Sequence, residues 1–253
     1  MILWNIRNKV NSSLVAELLE ETQATLAIIP ECPRELSLPA AFKRLTTSWS
    51  PLAMLSRDNE FVLKVEDASS RFAAATHLAS GISLIGCHLL SKLFGTDDDS
   101  LAAAMRLKDF VESVERAAGH ERTLVFGDMN MDPFEIGMVH CDAMHAVMSR
   151  VIAARGKRIV QGKECKFFYN PMWSHYGDRR EAEKVPGTYY YASGGAKAYF
   201  WHMFDQALLR PSIMDQLVTI RVLESVGRIS LVDKRRHPLK SFSDHLPVVV
   251  ELG

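Results

Sequence analysis

The sequence has no excess charge of either sign. Its 30 Lys and Arg residues are matched by 30 Asp and Glu, so no global basic field gathers nucleic acid around the chain. It also lacks a long apolar run. Nothing approaches the roughly 18 residues of a membrane span, and no membrane partner is expected. β-prone residues begin at Ile2, so no cleaved leader is expected either. Cysteine is scarce: Cys32, Cys87, Cys141 and Cys165 form no C-x-x-C pair. That spacing speaks against zinc and predicts four reduced thiols in a cytoplasmic protein. The apolar and charged fractions, 47% and 24%, are those of an ordinary globule. The 253 residues suit one large core.

The chain is organised around Leu124-Val125-Phe126-Gly127-Asp128-Met129-Asn130-Met131-Asp132-Pro133. The apolar run reads as the end of a buried strand, and Gly127 permits a sharp turn or a close approach. Asp128 and Asn130, two apart, project to one side of an extended chain. A carboxylate can take a proton or face a metal, and an amide can donate to an oxyanion. The same residue types also make ordinary turns, so the rest of the chain has to decide between the two readings.

Ile2–Arg7 reads as a short strand carrying Asn5. Asn11-Ser12-Ser13 offers caps to a helix with Leu14, Val15, Leu18 and Leu19 at helical spacing. Leu26–Ile29 is a second strand, ending in Pro30-Glu31-Cys32-Pro33. This strand–helix–strand opening brings Asn5 and Glu31 to neighbouring strand ends. Glu31 is there either a solvated loop charge or a ligand for a hard cation. Residues 42–90 read as an antiparallel meander closed by His88. A helix is expected from about Leu101 to Ala118, with Glu115 on its outer face and Gly119 ending it. A second helical pattern runs from Glu135 to about Ala154.

Residues 150–200 differ in composition. All six tyrosines fall there, and ten basic residues face four acidic ones. Aromatics interleaved with cations suit a surface that meets phosphates and stacks on bases, or equally a loop anchored on the core by its rings. Phe200–Leu209 reads as a strand with Asp205 inside it, a carboxylate that needs a partner. Ser241-Phe242-Ser243-Asp244-His245-Leu246-Pro247 supplies one, since an Asp205–His245 hydrogen bond would fix the imidazole tautomer.

Taken in order, Trp4-Asn5-Ile6, Pro30-Glu31, Cys87-His88-Leu89, Gly127-Asp128-Met129-Asn130, Gly187-Thr188-Tyr189, Phe204-Asp205-Gln206 and Ser243-Asp244-His245-Leu246-Pro247 resemble the endonuclease/exonuclease/phosphatase superfamily. The resemblance covers nearly the whole chain. It implies an α/β fold, a four-layer sandwich of two packed mixed β-sheets flanked by helices, like deoxyribonuclease I. It implies one domain over 1–253, with an aromatic and basic substrate-facing insertion at about 155–200. It also implies Mg²⁺- or Mn²⁺-dependent hydrolysis of phosphate esters.

By position, Glu31 would bind metal, with Asn5 and Asp244 beside it. Asp128 would orient or deprotonate the attacking water. Asn130 and His88 would hold phosphate oxygens, and His245, oriented by Asp205, would stabilise the phosphoryl charge. Arg179, Arg180, Tyr189 and Asn170 are candidates for substrate contact. The leading expectation is a nuclease acting on DNA or RNA. The alternatives are a phosphatase or phosphodiesterase for a small-molecule or lipid head-group ester, and a non-catalytic interaction module. Arg7 stands where abasic-site and tyrosyl-DNA enzymes of the superfamily carry an acid. Trp201, His202 and Met203 replace the usual arginine-containing approach to Asp205. These departures argue against a specialised abasic-site endonuclease.

Overall fold

A computed structural model describes residues 1–91, 96–177, 184–192 and 199–253. Arg179 and Arg180 lie outside the described residues. Two mixed sheets dominate. The first runs in the order Leu217–Val222, Val248–Leu252, Ile2–Leu3, Leu26–Ile29, Ala53–Arg57, Phe42–Arg44. The second runs Phe61–Glu66, Phe72–His77, Ser83–His88, Thr123–Asp128, Asp205–Leu209, Phe168–Tyr169, Ala146–Val147. Each contains parallel pairs, Ile2–Leu3 with Leu26–Ile29 in the first and Ser83–His88 with Thr123–Asp128 in the second.

The side-chain alternation of the central strand shows why the sheets stack. Leu124 and Phe126 point into the core between the sheets, with Leu3, Ile28, Met54 and Val248 from the opposite face. Val125 points the other way, against Leu107 and Val111 of the helix Asp97–Ala118. A strand buried on both faces reads as a continuous apolar run, and Leu124–Phe126 is one. On the far side of the first sheet, Leu14, Val15, Leu18 and Leu19 of the helix Ser12–Glu21 cover Ile2, Ala27 and Ile29. The result is the expected four-layer order of helix, sheet, sheet, helix. Among the described residues no helix is long and apolar enough to cross a membrane.

The helix Asp97–Ala118 starts on a capping box between Thr96 and Asp99 and ends at Gly119 with φ 72°, a left-handed cap that glycine adopts without strain. Its Glu115 is not on the outer face as expected. It is buried and bonded twice to Arg210, at 2.8 and 3.0 Å. Helical spacing alone could not reveal that a cation from another element reaches in to meet it.

The helical pattern over 135–154 resolves differently. Ile136–Val139 and Arg150–Ala153 are single helical turns, and Ala146–Val147 between them is the edge strand of the second sheet. His145 interrupts the pattern with φ 48°, and pairing with Phe168–Tyr169 outweighs the local periodicity. The strand expected over Phe200–Leu209 also breaks, into Trp201–His202 and Asp205–Leu209. Cys141 and Cys165 are joined as a disulfide, with Cα atoms 5.5 Å apart, inside the range a bridge requires. The expectation of four reduced thiols is therefore corrected: Cys32 and Cys87 are free and buried.

Candidate active site

Five chain segments deliver the site to one end of the sandwich. Parallel pairing sets His88 opposite Asp128 at two strand ends. Gly127 allows those strands to come this close, since a Cβ there would stand 2.2 Å from the Cys87 carbonyl oxygen and 2.4 Å from its Sγ. Beyond Asp128 the chain turns back through Asn130, at φ 48°. The Asn130 backbone N–H donates to Asp128 Oδ1 at 2.9 Å, and its Nδ2 donates to the Leu89 carbonyl at 3.0 Å. From the other sheet, the Ile2–Leu3 strand leads into Asn5, and Leu26–Ile29 leads to Glu31, itself at φ 49°.

Asn5 ties these ends together. Its Nδ2 donates to Glu31 Oε1 at 3.1 Å and to Asp128 Oδ2 at 3.0 Å, while its Oδ1 accepts the Arg7 N–H at 3.0 Å. The C-terminal loop is fixed onto the same strand. Trp4 Nε1 donates to the His245 carbonyl at 3.0 Å, and Ser243 Oγ donates to the Asn5 carbonyl at 2.6 Å. Thr188 completes the frame, accepting Leu246 N–H on its carbonyl and Asp205 N–H on its hydroxyl.

His245 Nδ1 and Asp205 Oδ2 are 2.8 Å apart, and both side chains are buried. His245 Nε2 looks toward Asp128 Oδ2 at 3.8 Å. Burial opposes a charge on His245, but Asp205, Asp128 and Asp244 outweigh it and hold the imidazole up to about 10. Burial also pushes Asp205 up, against the pull of His245. The acids around His245 favour its charged form, so the imidazole keeps its proton at neutral pH.

Asp128, Asp205 and His245 are close enough to share an ion, with ligand atoms within 4.8 Å of one another. The facing atoms of Asp205 and His245 are already bonded to each other, so that trio reads as a proton-holding relay. The better corner for a cation lies between Glu31 Oε1 and Asp128 Oδ2. A neutral amide bonds both oxygens there, and His88 Nε2 stands 3.8 Å from each. Two hard carboxylate oxygens converging with no Lys or Arg between them among the described residues fit a hard divalent cation.

A pocket of about 750 Å³ opens over these groups. It is lined by the polar groups Glu31, His88, Asp128, Asn130 and His245, by Arg7, Lys240 and Asp244, and by the rings of Tyr189, Tyr191, Tyr199 and Phe134.

Solved structures share this architecture along nearly the whole chain. An endonuclease/exonuclease/phosphatase family protein from Bacteroides thetaiotaomicron aligns at TM-score 0.61 and 12% identity, over 99% of this chain and 93% of that one. An AP endonuclease from Archaeoglobus fulgidus aligns at 0.57 and 14%, over 99% and 98%. The 3′ phosphatase NExo from Neisseria, solved with a product DNA hairpin, aligns at 0.55 and 16%, over 100% and 98%. The fold is that of the endonuclease/exonuclease/phosphatase proteins. At these identities the likeness is one of fold. No protein-family model matches the sequence, and no curated protein matches it.

Within this sandwich, the sequence-predicted residues Asn5, Glu31, His88, Asp128, Asn130, Asp205, Asp244 and His245 come together at one end. Tyr189 joins them, its ring 4.8 Å from that of His245. Asn170 does not. It is fully buried, accepts the Met172 N–H that opens a 3₁₀ turn and donates to Gln206 Oε1 at 2.7 Å, so it has no exposed atom to offer a substrate. Asp244 bonds Arg7 across 3.0 Å, an ion pair made by one of the residues that depart from the abasic-site pattern.

Many of the cations at 150–166 are engaged within the protein. Lys157 pairs with Glu164, Lys163 with Asp142, Lys166 with Glu121 and Arg150 with Asp215. Sequence reasoning also missed His202, a pocket residue that bonds the buried Asp132 at 2.7 Å. The only signal for it was an aspartate four positions after Asp128 in a stretch that reads as a turn.

Proposed function

We propose that this chain is a divalent-metal-dependent hydrolase of phosphodiester bonds, acting on DNA or RNA by in-line attack of water. One observation carries the reading. Glu31, Asp128 and His245 line a single pocket, with Asp205 bonded behind His245 and Asn5 bonded to both of the first two. Glu31 and Asp128 would hold Mg²⁺ or Mn²⁺, which when bound polarises the phosphoryl oxygens and offsets charge developing there. Asp128 orients the attacking water and accepts its proton. His245, held protonated, donates to a phosphoryl oxygen in the transition state. His88 and the remaining amide hydrogen of Asn130 hold the other phosphate oxygens. Asn5 and Asp244, expected beside the metal, act at one remove: Asn5 spaces the two carboxylates, and Asp244 fixes Arg7 at the rim.

The chain is read as one domain over 1–253, with the stretch at about 155–200 facing substrate. Tyr189 and Tyr191 in the pocket wall support this. Arg179 and Arg180 are retained as contacts to a polymeric phosphate backbone. A second reading, a phosphatase or phosphodiesterase for a small phosphate ester, is favoured by the pairing of Lys157, Lys163 and Lys166 with acids, which leaves them less able to meet a polymer. A cytoplasmic location accords with the free thiols of Cys32 and Cys87, whereas the Cys141–Cys165 bridge favours an oxidising one.

A cleavage panel tests the function. It contains plasmid, linear single- and double-stranded DNA, RNA, phosphate monoesters and inositol phosphates, each with Mg²⁺ and with Mn²⁺, and Asp128→Ala as control. Loss of a polymer in the wild type alone supports the nuclease. Activity confined to small esters moves the assignment to the second reading. Inactivity on every substrate, with no metal binding, identifies a non-catalytic module.

A further inference from the structure

A second histidine–carboxylate pair stands in the wall of the pocket, apart from the Asp205–His245 relay. His202 Nδ1 is 2.7 Å from Asp132 Oδ2, and Asp132 Oδ1 accepts the Met203 N–H at 2.8 Å. Asp132 is fully buried. A buried carboxylate held by two donors is built into the fold, and it fixes which way the imidazole faces. With Nδ1–H directed at Asp132, the ring presents Nε2 on its opposite edge. His202 lines the pocket, and Nε2 has no protein partner among the described residues. The relay explains none of this, and the hydrolysis described above does not use it.

The surroundings of His202 identify what it faces. Its ring stacks on Phe204 at 4.6 Å and meets Tyr199 edge-on at 6.0 Å. Phe134, in the same wall, lies 5.9 Å from Tyr199. Tyr189 joins this wall to the catalytic floor, with its ring centroid 4.8 Å from His245 and 6.1 Å from His202. One aromatic ring therefore separates the group that meets a phosphoryl oxygen from a wall of ring faces bearing one oriented hydrogen-bonding nitrogen. In a nucleotide a phosphate is joined through one sugar to a flat, π-faced, hydrogen-bonding ring. An inositol or a lipid head group offers no such ring to stack.

We infer that His202, positioned by Asp132, and the Phe134–Tyr199 face bind the nucleobase of the nucleotide whose phosphate lies at Asp128. The inference rests on the phosphodiesterase reading and gives it a base contact that the small-ester alternative lacks.

Binding tests it without turnover. Affinities of AMP and dAMP are measured by calorimetry against ribose 5-phosphate, which lacks the base, with Ca²⁺ present. The nucleotides are expected to bind at least about tenfold more tightly, as base stacking on an aromatic face implies. His202→Ala and, separately, Phe134→Ala should each bring AMP close to the ribose 5-phosphate level while leaving ribose 5-phosphate affinity unchanged. Asp132→Asn should weaken AMP less than His202→Ala does, and His202→Gln should recover part of the loss. Equal affinity for AMP and ribose 5-phosphate, no binding of either, or a base preference that survives both alanine variants would overturn the inference. The cleavage panel separates its failure from that of the phosphodiesterase reading. Base preference without cleavage leaves the subsite standing, and cleavage without base preference leaves only the hydrolase.

Discussion

Asp205 and His245 meet 2.8 Å apart from opposite sheets of the sandwich, the first opening the strand Asp205–Leu209 and the second leading into Val248–Leu252. The bond therefore exists only when the two sheets are stacked. It converts a buried carboxylate, costly on its own, into the group that orients an imidazole. Asp205→Asn keeps the shape but removes the negative charge that holds the His245 proton. Turnover should fall by roughly 10²- to 10⁴-fold, the range for losing one general acid–base group, with the thermal midpoint nearly unchanged. Single-turnover kinetics beside a circular dichroism melt checks this, and full activity in the variant would remove the relay from the mechanism.

Asn5 lies between Glu31 and Asp128 with one nitrogen bonded to both. Asn5→Ala leaves two carboxylates facing each other with nothing to set their separation. Mn²⁺ affinity should drop by about 10- to 100-fold, as when a group supporting a metal ligand is lost. Titration followed by the Mn²⁺ paramagnetic resonance signal reads it directly, and unchanged affinity would place the cation elsewhere.

Arg210 and Glu115 form a structural pair rather than a functional one. Both are buried, Arg210 also donates to the Phe167 carbonyl at 3.2 Å, and its guanidinium lies 3.9 Å over the Phe168 ring. Arg210→Met leaves Glu115 buried without its counter-charge, which should cost about 3–5 kcal/mol. Denaturant unfolding measures the loss. Activity per folded molecule should be preserved.

Cys141 and Cys165 should be found bridged. Thiol counting in denatured, unreduced protein should label Cys32 and Cys87 alone. Labelling of all four would return the chain to the reduced state that its cysteine spacing suggested.

The site was legible in the sequence because its residues sit at strand ends, where an apolar run stops at a polar group. Asn5, Glu31, His88 and Asp128 each close such a run, and the parallel pairing of Ser83–His88 with Thr123–Asp128 brings the last two side by side. The sandwich was legible for a related reason: Leu124–Phe126 is apolar at every position because both of its faces are covered.

Features set by distant partners were hidden. Glu115 looks like a surface residue until Arg210 reaches it. The stretch 135–154 has helical spacing, but its middle is drawn into a sheet by Phe168–Tyr169. Asn170 resembles a polar loop residue, and only the packed structure shows it buried against Gln206. The Asp132–His202 pair joins residues 70 positions apart, and no spacing in the sequence links them.

The central claim is that this pocket hydrolyses a phosphodiester by water attack at Asp128. The most direct test is turnover of a DNA or RNA oligonucleotide in ¹⁸O-labelled water with Mg²⁺ or Mn²⁺, comparing wild type with Glu31→Gln and Asp128→Ala. The account predicts one solvent oxygen in the product phosphate for the wild type, and no product from either variant or in the presence of a chelator. Product that forms equally well in Asp128→Ala, or that carries no solvent oxygen, would contradict it.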